Sequence, residues 1–166
     1  MTNRGRKTYI ILFLLSASLV LLPGTGQLNS QETWERGQIV NQHSGQCLVV
    51  RGGSSDNGAA VIQWPCNPND QHQRWQMRRS GEIVNAVSGK CLGIGGGSVE
   101  TGQAVVLWDC IGHRDQSWQM RRPGVIVNMH SGKCMGVTGG SVQNGAAVVQ
   151  WDCIGHEDQK WSVRKP

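Results

Sequence analysis

Residues 81–123 read GEIVNAVSGKCLGIGGGSVETGQAVVLWDCIGHRDQSWQMRRP, and residues 124–166 read GVIVNMHSGKCMGVTGGSVQNGAAVVQWDCIGHEDQKWSVRKP. Set side by side without a gap, they agree at 28 of 43 positions. Self-similarity of that strength makes a repeated unit the starting point for the fold. Working backwards, residues 37–80 carry the same frame with one extra residue. The frame is G-x-I-V-N-x-x-S-G-x-C, then G-G-S, then G-x-x-V-x-x-W-x-C, then Q-x-W.

No stretch inside a unit has helical periodicity. Short apolar runs are broken by Gly, Ser and Asn, the punctuation of strands and turns. In the first unit the runs Gly37–Asn41, Cys47–Val50, Ala60–Trp64 and Arg74–Arg78 read as four strands. Three units then give twelve strands and an all-β chain. Closure into a barrel-like body removes the edges that so many short strands would expose. Helical repeat arrays are disfavoured, because the units are few and none carries a helix.

The Cys residues follow the repeat. Cys47 and Cys66, Cys91 and Cys110, and Cys134 and Cys153 are each 19 residues apart. Spacing alone does not select among the pairings of six Cys. Equivalent units should make equivalent bonds, so one disulfide within each unit is expected. A zinc site is disfavoured, since there is no C-x-x-C pair and the His are not spaced as ligands. No metal or other cofactor is expected.

Outward from the repeats, the N-terminus reads as an export signal. Arg4, Arg6 and Lys7 precede an uncharged run from Tyr9 to Leu22, and Pro23-Gly24-Thr25-Gly26 closes it. These are the three parts of a secretory signal peptide, with cleavage placed after Gly26. The run is short for a spanning helix. Residues 27–36 are a lead, and Trp34 within it is read as packing that lead onto the barrel. The whole chain carries +5, but residues 27–166 carry only +2. The alkaline balance is thus largely the leader's and gives little support to nucleic-acid binding. A secreted protein that meets a membrane only through its leader is expected, most simply a monomer.

The pattern S-G-x-C followed by Leu or Met, then G-x-x-V-x-x-W-x-C and Q-x-W, three times in register with three Cys pairs, resembles the ricin B-type lectin domain, also called the R-type lectin or family 13 carbohydrate-binding module. The Q-x-W signatures are Gln73-Arg74-Trp75, Gln116-Ser117-Trp118 and Gln159-Lys160-Trp161. The resemblance covers residues 37–166, with units 37–80, 81–123 and 124–166. It implies a β-trefoil of three four-stranded units with pseudo-threefold symmetry. It also implies glycan binding at up to one shallow site per unit, without catalysis. On this resemblance Trp75, Trp118 and Trp161 belong to the core. Trp64, Trp108 and Trp151 match the aromatic platform on which a sugar ring stacks, where a pyranose C–H face desolvates against a rigid indole. Half-buried packing beside the disulfide is the competing role for these three.

The chain departs from the family in the polar half of the site. The Asp usually found two residues after the first Cys is replaced by Val49, Gly93 and Gly136. The residue before the Gln of Q-x-W, commonly Asn, is His72, Asp115 or Asp158. Ile62, Val106 and Val149 stand where Gln is frequent, and strand alternation turns them outward with the platform Trp. Two readings compete. Asp115 and Asp158, with His113 and His156, supply the lost carboxylate from the other side of the pocket. Alternatively, sugar binding is lost and the trefoil serves protein contacts or inhibition. Asp115 and Asp158 also suit a turn role, accepting backbone N–H groups. Unit one, with Val49 and His72, is the least suited to a sugar. Each unit ends in a basic pair, Arg78-Arg79, Arg121-Arg122 and Arg164-Lys165, which fits an anionic partner or simply a solvated strand end. No catalytic residue is nominated. The adjacent His43-Ser44 and His130-Ser131 read as turn elements, since unit two has Val87-Ser88 there.

Overall fold

The computed structural model describes residues 34–165, from the end of the lead to the last unit. The expected signal peptide at 1–26 and the Trp34 side chain lie outside what is described. Twelve strands follow in order, and the described residues contain no α-helix. Unit one holds β1 (Trp34–Asn41), β2 (Cys47–Val50), β3 (Val61–Trp64) and β4 (Trp75–Met77). Unit two holds β5 (Ile83–Asn85), β6 (Cys91–Ile94), β7 (Val105–Trp108) and β8 (Trp118–Arg121). Unit three holds β9 (Val125–Asn128), β10 (Cys134–Val137), β11 (Val148–Trp151) and β12 (Trp161–Arg164).

All pairings are antiparallel. The first and fourth strands of each unit form the barrel wall. β1 pairs with β4 and with β12, β4 with β5, and β8 with β9. The remaining seams are closed by the Trp118 N–H on the Gly81 carbonyl (2.8 Å) and the Trp161 N–H on the Gly124 carbonyl (2.7 Å). The second and third strands form three hairpins, β2–β3, β6–β7 and β10–β11. These meet one another through single bridges, Ala60 with Val106, Ala104 with Val149, and Ile62 with Ala147. The result is a β-trefoil with three equivalent units.

The Q-x-W motif explains itself physically. Trp75, Trp118 and Trp161 are buried among the aliphatic side chains of the barrel. Each indole N–H donates to a carbonyl of its own unit's second strand: Leu48 (2.9 Å), Leu92 (3.0 Å) and Met135 (2.9 Å). A buried indole therefore leaves no unpaired donor. The preceding Gln is buried as well and pins the loop around the second Cys. Gln116 Nε2 donates to the Asp109 carbonyl (2.7 Å) while its Oε1 accepts from the Ile111 N–H (3.0 Å). Gln159 does the same with Asp152 (2.7 Å) and Ile154 (3.1 Å), and Gln73 with Pro65 (2.9 Å) and Asn67 (2.8 Å).

The three disulfides form within units as expected, with Cα–Cα separations of 5.0, 5.1 and 5.1 Å. One outward assignment needs correction. Ile62, Val106 and Val149 lie on the same strand side as the platform Trp, yet they are only 5%, 8% and 7% exposed. The hairpin bridges cover them, because all three are bridge residues or the partners of one. Val106 and Val149 line the pockets of units two and three, and none of the three is part of the open surface.

Candidate functional site

Trp64, Trp108 and Trp151 close their third strands and remain 48%, 42% and 45% exposed. They are therefore surface side chains, and the fold does not depend on burying them. Each is braced at its six-membered ring by the loop of another unit. A Cβ placed on Gly58 would lie 3.8 Å from Trp108, one on Gly102 3.4 Å from Trp151, and one on Gly145 3.5 Å from Trp64. These glycines have φ of 80–85°, in the left-handed region where a side chain is strained.

In units two and three the platform Trp overlooks a pocket. The unit-three pocket has a volume of about 410 Å³ and is walled by Trp151, Val149, Ile154, His156 and Asp158. The unit-two pocket, about 270 Å³, is walled by Trp108, Val106, Ile111, His113 and Asp115. The structure thus brings together the Trp, His and Asp singled out in each of these two units. It adds an isoleucine to each wall, Ile111 and Ile154, both exposed. The only hint of this in the sequence is that unit one has Asn67 at the corresponding position.

The carboxylates enter these pockets through the space that the glycines leave. Asp115 Oδ2 accepts the Ile94 backbone N–H at 2.8 Å, and Asp158 Oδ2 accepts that of Val137 at 3.1 Å. A Cβ on Gly93 would come within 2.8 Å of the Asp115 oxygen, and one on Gly136 within 3.0 Å of the Asp158 oxygen. Loss of a side chain after the first Cys and gain of a carboxylate before the Gln are therefore two halves of one exchange. The turn reading of Asp115 and Asp158 is correct in chemistry but not in reach, because the N–H they accept belongs to a neighbouring strand. Asp70 makes the local version, accepting the His72 N–H at 2.9 Å.

The two sites differ at the second oxygen. Asp115 Oδ1 is hydrogen-bonded to His113 Nδ1, whereas His156 Nδ1 stands 4.0 Å from Asp158 Oδ1. His130, from the first turn of unit three, lies edge-on to His113 with ring centroids 5.7 Å apart. Unit one is built differently. Val49 is buried there, and a Cβ on Gly53 would meet the His72 ring at 3.2 Å.

The turns that carry these residues are held from the next unit. Asn128 Nδ2 donates to the Asp115 carbonyl (2.6 Å), Asn41 to that of Asp158 (2.6 Å), and Asn85 to that of His72 (3.0 Å). Beside the platforms, Lys90 bonds Asp109 and Lys133 bonds Asp152. Asn57 from unit one also donates to Asp109 (2.7 Å). The Lys90 and Asn57 hydrogen bonds hold the Asp109 carboxyl below its usual range, and the Lys133 bond does the same for Asp152. Lys160 lowers Glu157, which flanks the unit-three site.

This architecture agrees with the family comparison. A model of the ricin-type beta-trefoil lectin domain matches residues 35–161. The chain belongs to the ricin-type β-trefoil lectin family. Among solved structures, this lectin domain is similar to the designed threefold-symmetric protein ThreeFoil, at 29% identity and TM-score 0.76, over 79% of this chain and 99% of that one. It is also similar to the exo-beta-1,3-galactanase 1,3Gal43A from Clostridium thermocellum, at 30% identity and TM-score 0.75. That match covers 80% of this lectin domain's chain but 30% of the galactanase. The hemolytic lectin CEL-III matches at 30% identity and TM-score 0.68, over 81% of this chain and 31% of that one. No curated protein sequence matches.

Proposed function

We propose that the chain is a secreted, non-catalytic lectin that captures glycans through shallow sites in units two and three. The observation that carries this reading is the paired construction at Trp108 with Asp115 and at Trp151 with Asp158. Each pair sets a flat apolar ring against a carboxylate whose orientation is fixed by a backbone N–H. A sugar presents the complementary faces, C–H groups for the indole and hydroxyl donors for the carboxylate. Val106 and Val149 stand where the resemblance leads one to expect a polar Gln, and with Ile111 and Ile154 they extend the apolar wall. Single sites of this shallow kind bind weakly, and two on one rigid body gain through effective concentration. Secretion rests on the leader at residues 1–26, and a monomer suffices because both sites lie on one chain. A non-toxic homologue of type II RIPs from Momordica charantia in complex with alpha-methyl-D-galactoside and the earthworm R-type lectin C-half in complex with GalNAc share this fold, and sugars are the first ligands to try.

The test is a glycan array with the processed chain, followed by titration of hits against indole fluorescence. Trp108→Ala with Trp151→Ala is expected to abolish capture while the melting transition stays within a few degrees. An array with no hit among neutral and acidic glycans refutes the reading. A second reading, a protein-interaction or inhibitory trefoil, draws on the exposed Ile111 and Ile154 and on the different build of unit one. It predicts the opposite, an unresponsive indole signal with every sugar.

A further inference from the structure

The three basic pairs come together at one end of the barrel. β12 is antiparallel to β1, with Arg164 opposite Gln38, and antiparallel to β9, with Lys160 opposite Val125. The end of β12 and the starts of β1 and β9 therefore share one end. β9 enters from β8 through the turn after Arg121, which faces Val125. β4 runs against β1, and the turn at Arg78–Glu82 leads from β4 into β5 at the same end. Arg78-Arg79, Arg121-Arg122 and Arg164-Lys165 all project there, and Arg36 at the start of β1 joins them. All of these side chains are exposed.

Among the described side chains, negative charge is sparse at this end. Among the described side chains its one carboxylate is Glu82, which bonds Arg78 at 3.2 Å. Elsewhere lysines are matched locally, Lys90 by Asp109, Lys133 by Asp152 and Lys160 by Glu157. More than half of the basic residues after Gly26 lie on the barrel end. The small net charge thus hides a strongly polarised molecule.

We propose that this barrel end is a docking face for an anionic phospholipid bilayer. Three cationic pairs set around an axis define a plane, so a flat anionic surface meets all of them at once. A linear polyanion crossing the end reaches only some of them. Among the described residues no large exposed hydrophobic side chain lies at this end, so the attachment is electrostatic and peripheral. Arginine forks suit phosphate oxygens bidentately. Such docking is a second, reversible membrane contact beside the one expected of the leader. The platform Trp sit on the hairpins, away from this end, and stay open to glycans when the base is docked. The proposal does not depend on sugar binding.

The test is co-sedimentation of the chain from Gln27 onward with vesicles of phosphatidylglycerol and phosphatidylcholine, compared with pure phosphatidylcholine. Binding is expected only to the anionic vesicles, and it should collapse between roughly 0.1 and 0.5 M salt as charges are screened. Arg36→Gln, Arg79→Gln, Arg122→Gln and Lys165→Gln together should weaken it on the order of 100-fold. Arg51→Gln, Arg74→Gln and Arg114→Gln, which remove cations elsewhere, should leave it within about threefold. Replacing Arg36, Arg79 and Arg122 by Lys keeps the charge and should keep binding, which guards against misfolding as the cause of loss. Absence of binding to anionic vesicles overturns the proposal. So does equal loss in both Gln sets, or capture by soluble dextran sulfate with none by vesicles.

Discussion

Gly93→Ala tests the exchange that builds the unit-two site. Gly93 lies in β6 without a positive φ, so the backbone itself accepts alanine. The obstacle is Asp115 Oδ2, 2.8 Å from the new Cβ, with Gln116 Cγ at 3.4 Å behind it. The carboxylate is buried and anchored to the Ile94 N–H, so it can yield only by giving up that bond. A charge-assisted hydrogen bond in such a place contributes about 1.5–3 kcal/mol. Alanine in place of glycine within a strand returns about 0.5–1 kcal/mol. The expected net loss is about 1–2 kcal/mol, or a Tm lower by roughly 3–12 °C for a domain of this size. The decisive arm is Gly93→Ala in an Asp115→Ala background, where the clash is gone and only the alanine gain remains. There the substitution should be neutral or stabilising. Thermal melts followed by Trp fluorescence report both arms. An equal cost in the two backgrounds refutes the coupling between Gly93 and Asp115.

Two further outcomes follow from the fold. Trp118→Ala removes a fully buried indole and leaves the Leu92 carbonyl unpaired. It should cost about 3–5 kcal/mol in a denaturant titration, far more than Trp108→Ala on the surface. The lowered carboxyls of Asp109, Asp152 and Glu157 give the domain an acid limit. A carboxyl held low in the folded state contributes stability that is complete above its unfolded value, about pH 4, and is lost as the pH falls through the folded value. Stability measured from pH 6 downward should therefore decline below about pH 4, and Lys90→Met should flatten part of that decline.

The repeat made the fold readable, because four short strands recurring three times with matched Cys leave few ways to close. The division of the Trp was readable for the same reason: position within the unit separates Trp118 from Trp108. The relation between Gly93 and Asp115 was not. It joins residues from β6 and the turn before β8, and only the folded register shows that one vacates the space the other enters. Val106 was misread as open surface because alternation along one strand says nothing of a neighbouring hairpin. The Asn of each I-V-N looked like a strand end, yet Asn128 reaches into the preceding unit to hold the Asp115 turn. The basic pairs were visible as text, but their common location needed the antiparallel order of β12, β1 and β9.

The bracing of each platform Trp by another unit's glycine runs in a closed ring: unit one supports unit two, two supports three, and three supports one. The Asn contacts run around the same ring in the opposite sense. No unit cut from this chain carries a finished site, because both halves of its support belong to its neighbours. Within one chain the three copies are still free to differ: units two and three share a wall of Trp, Ile, His and Asp, where unit one has Trp64, Asn67, Asp70 and His72.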